Sequence, residues 1–273
     1  MVARRRLDAE LVRRKIARSR EHAVELIRAG RVEVAGLRAA KPATVVDPEV
    51  SIRVAAASDA DWASRGAHKL LGALAAFEPL GVSVKGKKVL DAGASTGGFT
   101  DVLLRFDARQ VVAVDVGYGQ LIWRLQNDDR VRVVDRTNVR SLTLEHTDGP
   151  CDMMVGDLSF ISLRLVLPAI VECMSEGAVL LPMVKPQFEV GKDRLGAGGV
   201  VRSPQLRAEV TREVAEFAAT LGLSCNGVVA SPLPGPSGNV EYFLMLIKDG
   251  GASAPTAQEL DRMIETAVKE GPQ

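Results

Sequence analysis

The apolar positions of the chain change their period several times, and each change marks an element. Leu7, Leu11, Val12 and Ile16 recur at helical spacing. Ser19 then caps a second helix with Ala23, Leu26 and Ile27 as its stripe, and Gly30 stops it just past the last turn. From Arg31 the period drops to two: Val32 and Val34 alternate with Arg31 and Glu33 before Gly36 turns the chain. After the Lys41-Pro42 break, Thr44-Val45-Val46 and the alternating Val50, Ile52 and Val54 predict further short strands. The first sixty residues read as two short helices and a small antiparallel sheet.

From about residue 64, strand and helix signals alternate, as in a mostly parallel, doubly wound sheet. Strands are predicted over 87–92, 111–116, 131–134, 153–155, 178–184, 224–230 and 240–247. Helices are predicted over 99–105, 120–126, 163–174 and 204–221, and a Ser/Pro/Gly loop at 231–239 closes a final hairpin. Leu260, Met263, Ile264, Ala267 and Val268 share one helical stripe, which predicts a last helix packed on the body. The expected fold is therefore α/β: a Rossmann-like seven-stranded sheet behind a small α+β head. The expected organisation is a head at 1–59, a linker at 60–63, a body at 64–250 and a tail at 251–273.

Composition sharpens this division. Among 273 residues, 47% are hydrophobic and 25% charged, which excludes wholesale disorder. The net charge of +1 hides an asymmetry: residues 1–41 hold twelve basic and five acidic side chains, net +7, leaving −6 for the rest. A basic head on a mildly acidic body suits a polyanion partner, although a solvated basic surface is the plainer reading of any charge run. Cys151, Cys173 and Cys225 are scattered and odd in number, and His22, His68 and His146 are far apart. Neither a disulfide framework nor a metal site is expected. No apolar run approaches the roughly 18 residues a membrane span needs. The charged N-terminus does not resemble a secretory signal, so a cytoplasmic protein is expected.

The chemistry is expected at strand ends. The first body strand runs into Asp91-Ala-Gly93-Ala-Ser95-Thr-Gly97-Gly98-Phe99-Thr100. Glycines at a strand-to-helix turn admit close approach of a ligand to backbone. The spacing lacks the G-x-G-x-x-G rhythm of a dehydrogenase, and no Gly-Lys-Ser/Thr follows to make a P-loop. Asp115 ends the second strand, where Rossmann-like folds place an acid on a ribose. Asp91 has two readings: orienting the cofactor, or accepting the N–H groups of its own turn. Phe99 lines the cofactor pocket or fills the helix core, and Asn138, with Asp135 as the alternative, is the candidate for the adenine side. The segment 186–200 is either a lid or a plain connection. Trp62 is either a coupling element or a packing residue.

Two resemblances add to these readings. The run Leu7-Asp8, Leu11, Ala17-Arg18-Ser19-Arg20, Ala23, Leu26-Ile27, Gly30, Val32, Val34, Gly36 resembles an S4 domain. That likeness implies recognition of structured RNA by shape and phosphates, with Arg4, Arg6, Arg14, Arg18 and Arg20 as candidate contacts. In the body, Lys69, Asp157, Lys185 and Glu241 match the Lys-Asp-Lys-Glu tetrad of FtsJ/RrmJ-type ribose 2′-O-methyltransferases. The strand-four motif Asp157-Leu158-Ser159-Phe160 differs from the Asn/Asp-Pro-Pro-aromatic motif of amine methylation, and no cysteine is placed for carbon-5 attack. Segments 64–70, 91–100, 157–162, 184–191 and 231–242 look like the TlyA family, which joins an S4 domain to such a body.

The resemblance implies S-adenosylmethionine-dependent 2′-O-methylation of cytidine in 16S and 23S ribosomal RNA within ribosomal subunits. It implies a cofactor site of Asp91, Gly93, Ser95, Gly97, Phe99, Asp115, Asn138 and Asp157, with no metal. Lys185 would act as base or, if it keeps its charge, as stabiliser of the developing alkoxide. A second lysine and desolvation favour the first version, and the neighbouring acids favour the second. Competing readings are a non-catalytic ribosome-assembly factor and, from the family's haemolysin label, a membrane-active protein.

Overall fold

A computed structural model describes residues 4–17, 19–28, 30–54 and 62–272, so the candidate Arg18 lies outside the described residues. The chain divides into two compact units, Met1–Asp61 and Trp62–Gln273.

In the N-terminal unit, β1 (Arg5–Arg6) leads directly into α1 (Leu7–Arg13), followed by α2 (Arg20–Arg28), β2 (Val32–Val34), β3 (Leu37–Arg38), β4 (Val45–Val46) and β5 (Ile52–Val54). β1 pairs antiparallel with β4, while β2 lies between β3 and β5 in a second antiparallel sheet. Leu7, Leu11, Ala23, Leu26, Ile27 and Val32 make its core. The first helix is shorter than its spacing predicts, because Lys15 turns left-handed at φ 59°, yet Ile16 still packs on that core.

Two acids are buried in this small unit. Asp8 accepts hydrogen bonds from Arg6 at 2.8 Å and Arg20 at 3.0 Å. Glu10 accepts from Arg13 at 2.6 Å and from Arg14 at 2.7 Å. The guanidinium partners, Arg6 first for Asp8 and Arg13 first for Glu10, hold both carboxyls well below the usual carboxylate range. Arg14 also donates to the carbonyls of Val50 at 2.8 Å and Pro48 at 2.6 Å, so all three of its nitrogens serve the unit's interior. Of the candidate RNA contacts, Arg4, Arg6 and Arg20 are exposed or half-exposed, while Arg14 is committed to structure.

The second unit runs α3 (Ala67–Phe77), β6 (Lys88–Ala92), α4 (Gly98–Arg105), β7 (Gln110–Val114), α5 (Trp123–Gln126), β8 (Val131–Val134), α6 (Leu144–Thr147) and β9 (Cys151–Gly156). It continues with α7 (Leu167–Glu172), β10 (Met174–Val184), α8 (Pro186–Glu189), α9 (Pro204–Thr220), β11 (Leu223–Ala230), β12 (Tyr242–Lys248) and α10 (Ala257–Glu270). The seven strands lie in the order β8-β7-β6-β9-β10-β12-β11, and β12 runs antiparallel to both neighbours. Strand order reverses at β6, which places a crevice beyond the carboxyl ends of β6 and β9. Two apolar cores cover the faces of the sheet, one around Leu90, Met154 and Leu180, the other around Val89, Phe99 and Met153.

Several predicted elements change length for local reasons. The helix expected over 120–126 keeps only its last four residues, because a turn with Gly119 at φ 63° occupies the start. The helix expected over 163–174 opens as a 3₁₀ turn, Leu163–Leu165, before α7. β10 begins at Met174 with a register shift before Val179, where Gly177 takes φ 75°. Helix α3 was not predicted, although Leu70, Ala73, Leu74 and Phe77 carry the helical period and are buried. The tail helix α10 packs Leu260, Ile264, Ala267 and Val268 into the body, with a Thr256–Glu259 capping box at its start. Trp62 also belongs to this unit, where its ring lies 4.2 Å beneath the Arg105 guanidinium.

Candidate active site

β6 delivers the chain into a turn where Gly93, Ser95 and Gly97 all have positive φ, at 87°, 47° and 100°. A side chain at Gly93 would press on the Asp157 carbonyl oxygen at 3.1 Å, and one at Gly97 would collide with Leu125 and with Leu121 at 2.7 Å. The turn therefore needs glycine at both places, once for a close backbone approach and once for packing. Asp115 secures it from the next strand: its carboxylate accepts the Ser95 N–H at 2.8 Å and the Gly117 N–H at 2.7 Å. A carboxylate has about four acceptor positions, so Asp115 retains capacity for a ligand hydroxyl.

Asp91 lies beneath this turn with no exposed surface. Thr100 Oγ1 donates to one of its oxygens at 2.6 Å, and the other oxygen is buried without a partner. Burial pushes its carboxyl up to about 7. Phe99 is buried against Phe243, with ring centroids 6.1 Å apart, and belongs to the sheet's core. Asn138 caps a short 3₁₀ turn, accepting the Arg140 N–H at 3.0 Å. The alternative, Asp135, accepts the Gly119 N–H at 2.8 Å, so it steadies the loop after β7.

Lys69 on α3, Asp157 after β9, Lys185 after β10 and Glu241 before β12 meet in one place. Lys69 Nζ is 2.6 Å from Glu241 Oε2 and 3.6 Å from Asp157 Oδ2, and Lys185 Nζ is 2.5 Å from Asp157 Oδ1. The result is a chain of alternating charge, Glu241–Lys69–Asp157–Lys185, with both lysines and Glu241 buried. Each ammonium has a carboxylate beside it, which offsets the cost of burying these three ions, while Asp157 keeps some exposure. Strand geometry explains the meeting: β9 and β10 are parallel neighbours, so their carboxyl ends project Asp157 and Lys185 to the same rim.

Two polar partners join the tetrad that the sequence reading did not single out. Lys185 Nζ donates to Ser159 Oγ at 2.8 Å, and Gln187 Nε2 donates to Glu241 Oε1 at 3.4 Å. Both lie in runs already noted for their resemblance, 157–162 and 184–191, where only the charged residues had been assigned. A cleft of about 910 Å³ opens beside the tetrad, lined among others by Ser159, Phe160, Lys185, Gln187, Phe188 and Glu241. Phe160 is 89% exposed at φ 62°, and its ring stands 5.1 Å from that of Phe188. The glycine turn approaches the same charged chain from its other side, since a side chain at Gly93 would meet Asp157.

The glycine-rich segment after α8 is fastened. Val190, Leu195 and Val201 pack with Val210 and Leu206 in a small cluster. Asn239 accepts the Val201 N–H and donates to the Gly199 carbonyl, each at 2.9 Å. Among the described residues no group of three His, Cys, Asp or Glu could hold a metal ion, and no helix is long and apolar enough to cross a membrane.

Comparison with known proteins identifies the two parts of the chain. Residues 62–248 match the FtsJ-like methyltransferase family and residues 5–52 match the S4 domain. The 16S/23S rRNA (cytidine-2′-O)-methyltransferase TlyA of Mycobacterium tuberculosis is 56% identical, with all of both chains covered. Hemolysin A of Brachyspira hyodysenteriae is 33% identical over 89% of this chain and 99% of its own length. A solved Streptococcus thermophilus structure with a provisional hemolysin label superposes with TM-score 0.71 at 35% identity, covering 99% of this chain and 98% of that one. The chain belongs to the TlyA family, in which an S4 domain precedes an FtsJ-like methyltransferase body.

Proposed function

We propose that this protein transfers the methyl group of S-adenosylmethionine to the ribose 2′-hydroxyl of cytidine in 16S and 23S ribosomal RNA, acting on ribosomal subunits in the cytoplasm. The observation that carries the reading is the continuous chain of two amines and two carboxylates between the glycine turn and an open cleft. Identity of 56% over the full length of the mycobacterial enzyme supports the substrate.

The glycine turn suits the donor. Gly93 lets the turn pass close to the Asp157 backbone, Gly97 lets it pack on Leu121 and Leu125, Asp115 can accept ribose hydroxyls, and Asp91 and Asp157 supply acidic groups for the amino-acid end. S-adenosylmethionine supplies an electrophilic methyl carried on a sulfonium. A ribose hydroxyl is a poor nucleophile while protonated, so the chain's own task is to hold it and manage its proton. Lys185 stands at the cleft held by Asp157 and Ser159; as a neutral amine it takes that proton, and as an ammonium it stabilises the forming alkoxide while the proton passes to water. Lys69, clamped by Glu241, holds Asp157 from the other side. The exposed Phe160, backed by the half-buried Phe188, offers an aromatic surface for an unstacked base. Arg4, Arg6, Arg18 and Arg20 of the S4 domain, residues 1–59, contact RNA phosphates. The catalytic body takes in Trp62 and Ala63 of the expected linker at 60–63, runs on through 64–250 and is braced by the tail at 251–273.

The test is transfer of labelled methyl to purified ribosomal subunits with mapping of the modified nucleotide. Lys185→Ala is expected to keep cofactor affinity within about threefold by calorimetry while transfer falls by roughly 10²–10⁴. Transfer by Lys185→Ala at the wild-type rate would refute the role of that amine. Label found on a base instead of a ribose would refute the reaction.

A further inference from the structure

The two loops that carry Asp157 and Lys185 leave adjacent parallel strands, and a single carboxylate ties them together again beyond the site. Glu189, the last residue of α8, is 4% exposed. Its two oxygens accept the Ser162 hydroxyl at 2.6 Å and the Leu163 N–H at 2.8 Å. Arg164 adds an ion pair at 3.8 Å and donates to the Glu189 carbonyl at 3.3 Å. A buried charge so fully bonded fixes its neighbours closely, because each of those bonds is expensive to lose.

Between the root and this tie lies all the chemistry of the two loops. The ladder of β9 and β10 ends at Pro182 opposite Gly156. Asp157 follows at once on one side and Lys185 three residues on at the other, and the two are in contact at 2.5 Å. Ser159 reaches Lys185 from the same loop, and Phe160 meets Phe188 across the cleft. Ser162 and Leu163 then close the β9 loop on Glu189. A four-residue helix such as α8 cannot sustain itself, since helix nucleation is unfavourable without outside support. The loop after β9 likewise has no ladder of its own.

We propose that Glu189 is a positioning residue for methyl transfer. By binding Ser162 and Leu163 it sets the β9 loop against the β10 loop, and so holds Lys185 between Asp157 and Ser159 at the edge of the acceptor cleft. It touches no reacting atom. Its effect passes through Lys185, and a displacement of about 1 Å at a reacting group can cost roughly a hundredfold in rate. The inference rests on the proposed methyl transfer for its kinetic part, while the tie itself can be read on the protein alone.

The experiment compares Glu189→Ala, Glu189→Gln and Ser162→Ala in the full-length protein. Hydrogen exchange is measured without RNA, and steady-state methylation of ribosomal subunits follows. Glu189→Ala is expected to speed amide exchange in 157–163 and 186–190, leaving β6–β8 and cofactor affinity within twofold of wild type. Its kcat should fall about 30- to 100-fold. Glutamine can still accept the Leu163 N–H and donate to Ser162, so Glu189→Gln should recover kcat to within about fivefold. Ser162→Ala, which removes the hydroxyl's bonds to Glu189 and to the Arg164 N–H and leaves the carboxylate in place, should lose about three- to tenfold and provides the reading if Glu189→Ala does not fold. Unchanged exchange in both segments overturns the tie, whatever the activity. A uniform rise across the sheet with parallel loss of cofactor binding, or a glutamine variant as poor as alanine, shows a general stabilising role and overturns the proposal. If wild-type protein labels no ribose, the reaction fails while the exchange result still decides the tie.

Discussion

Asp91→Asn separates two roles for the acid beneath the glycine turn. In the folded protein burial raises this carboxyl to about 7, against an ordinary value near 3.8. Between those values the folded protein holds a proton that the unfolded chain has lost, so stability falls by about 1.4 kcal/mol per pH unit. The loss starts near pH 4, is complete near pH 7, and totals about 4 kcal/mol. Asparagine carries no titrating proton and can still accept the Thr100 hydroxyl, so the substitution removes this slope. From pH 5 to pH 8 the stability of the variant relative to wild type should rise by about 3 kcal/mol.

Urea unfolding followed by tryptophan fluorescence is the suitable assay, since Trp62 and Trp123 are the chain's two tryptophans and both lie in the body. With a slope of about 3 kcal/mol per molar, the change corresponds to roughly 1 M in midpoint. Groups remote from Asp91 cancel in the difference. A variant less stable than wild type by the same amount at both pH values would refute the reasoning. It would mean that Asp91 is ionised throughout and serves as a charged acceptor.

Three further outcomes follow from separate features. Gly97→Ala must place a methyl group at φ 100° against Leu121 and Leu125, and should cost about 2–4 kcal/mol in body stability and weaken cofactor binding, measured by unfolding and calorimetry. Arg14→Ala should destabilise the N-terminal unit by about 2–3 kcal/mol, seen as faster amide exchange over residues 7–13. It leaves Glu10 short of a partner and two carbonyls unbonded, whereas Arg4→Ala should only weaken RNA binding and reduce its salt dependence. Cys151, Cys173 and Cys225 are buried, and burial raises all three thiols, Cys151 and Cys225 to about 12, so native protein at pH 8 should release no colour from a disulfide reagent until denaturant is added.

The pattern of side chains along the chain was sufficient for the two-part architecture, the seven strands and most helices. Period-2 and period-3.6 runs report which face of an element is apolar, and burial of that face is a local requirement. The same pattern marked the glycine turn, because φ above zero at 93 and 97 admits glycine and little else. The four charged residues were legible as a set through resemblance. Lys69 and Glu241 stand 172 positions apart, and no periodicity predicts their 2.6 Å contact.

Tertiary structure alone decided which charges face inward and what they hold. Arg14 looks like any arginine of a basic run, yet three bonds commit it to the unit's interior. Ser159, Gln187 and Glu189 carry no pattern of their own; Ser159 and Glu189 gained their places because two parallel strands end side by side, and Gln187 because β12 begins beside the end of β10. The physical reason is common to all of them. Hydrophobic burial is written residue by residue along the chain, whereas a hydrogen bond between distant polar groups exists only after the sheet has set their distance and removed the water between them.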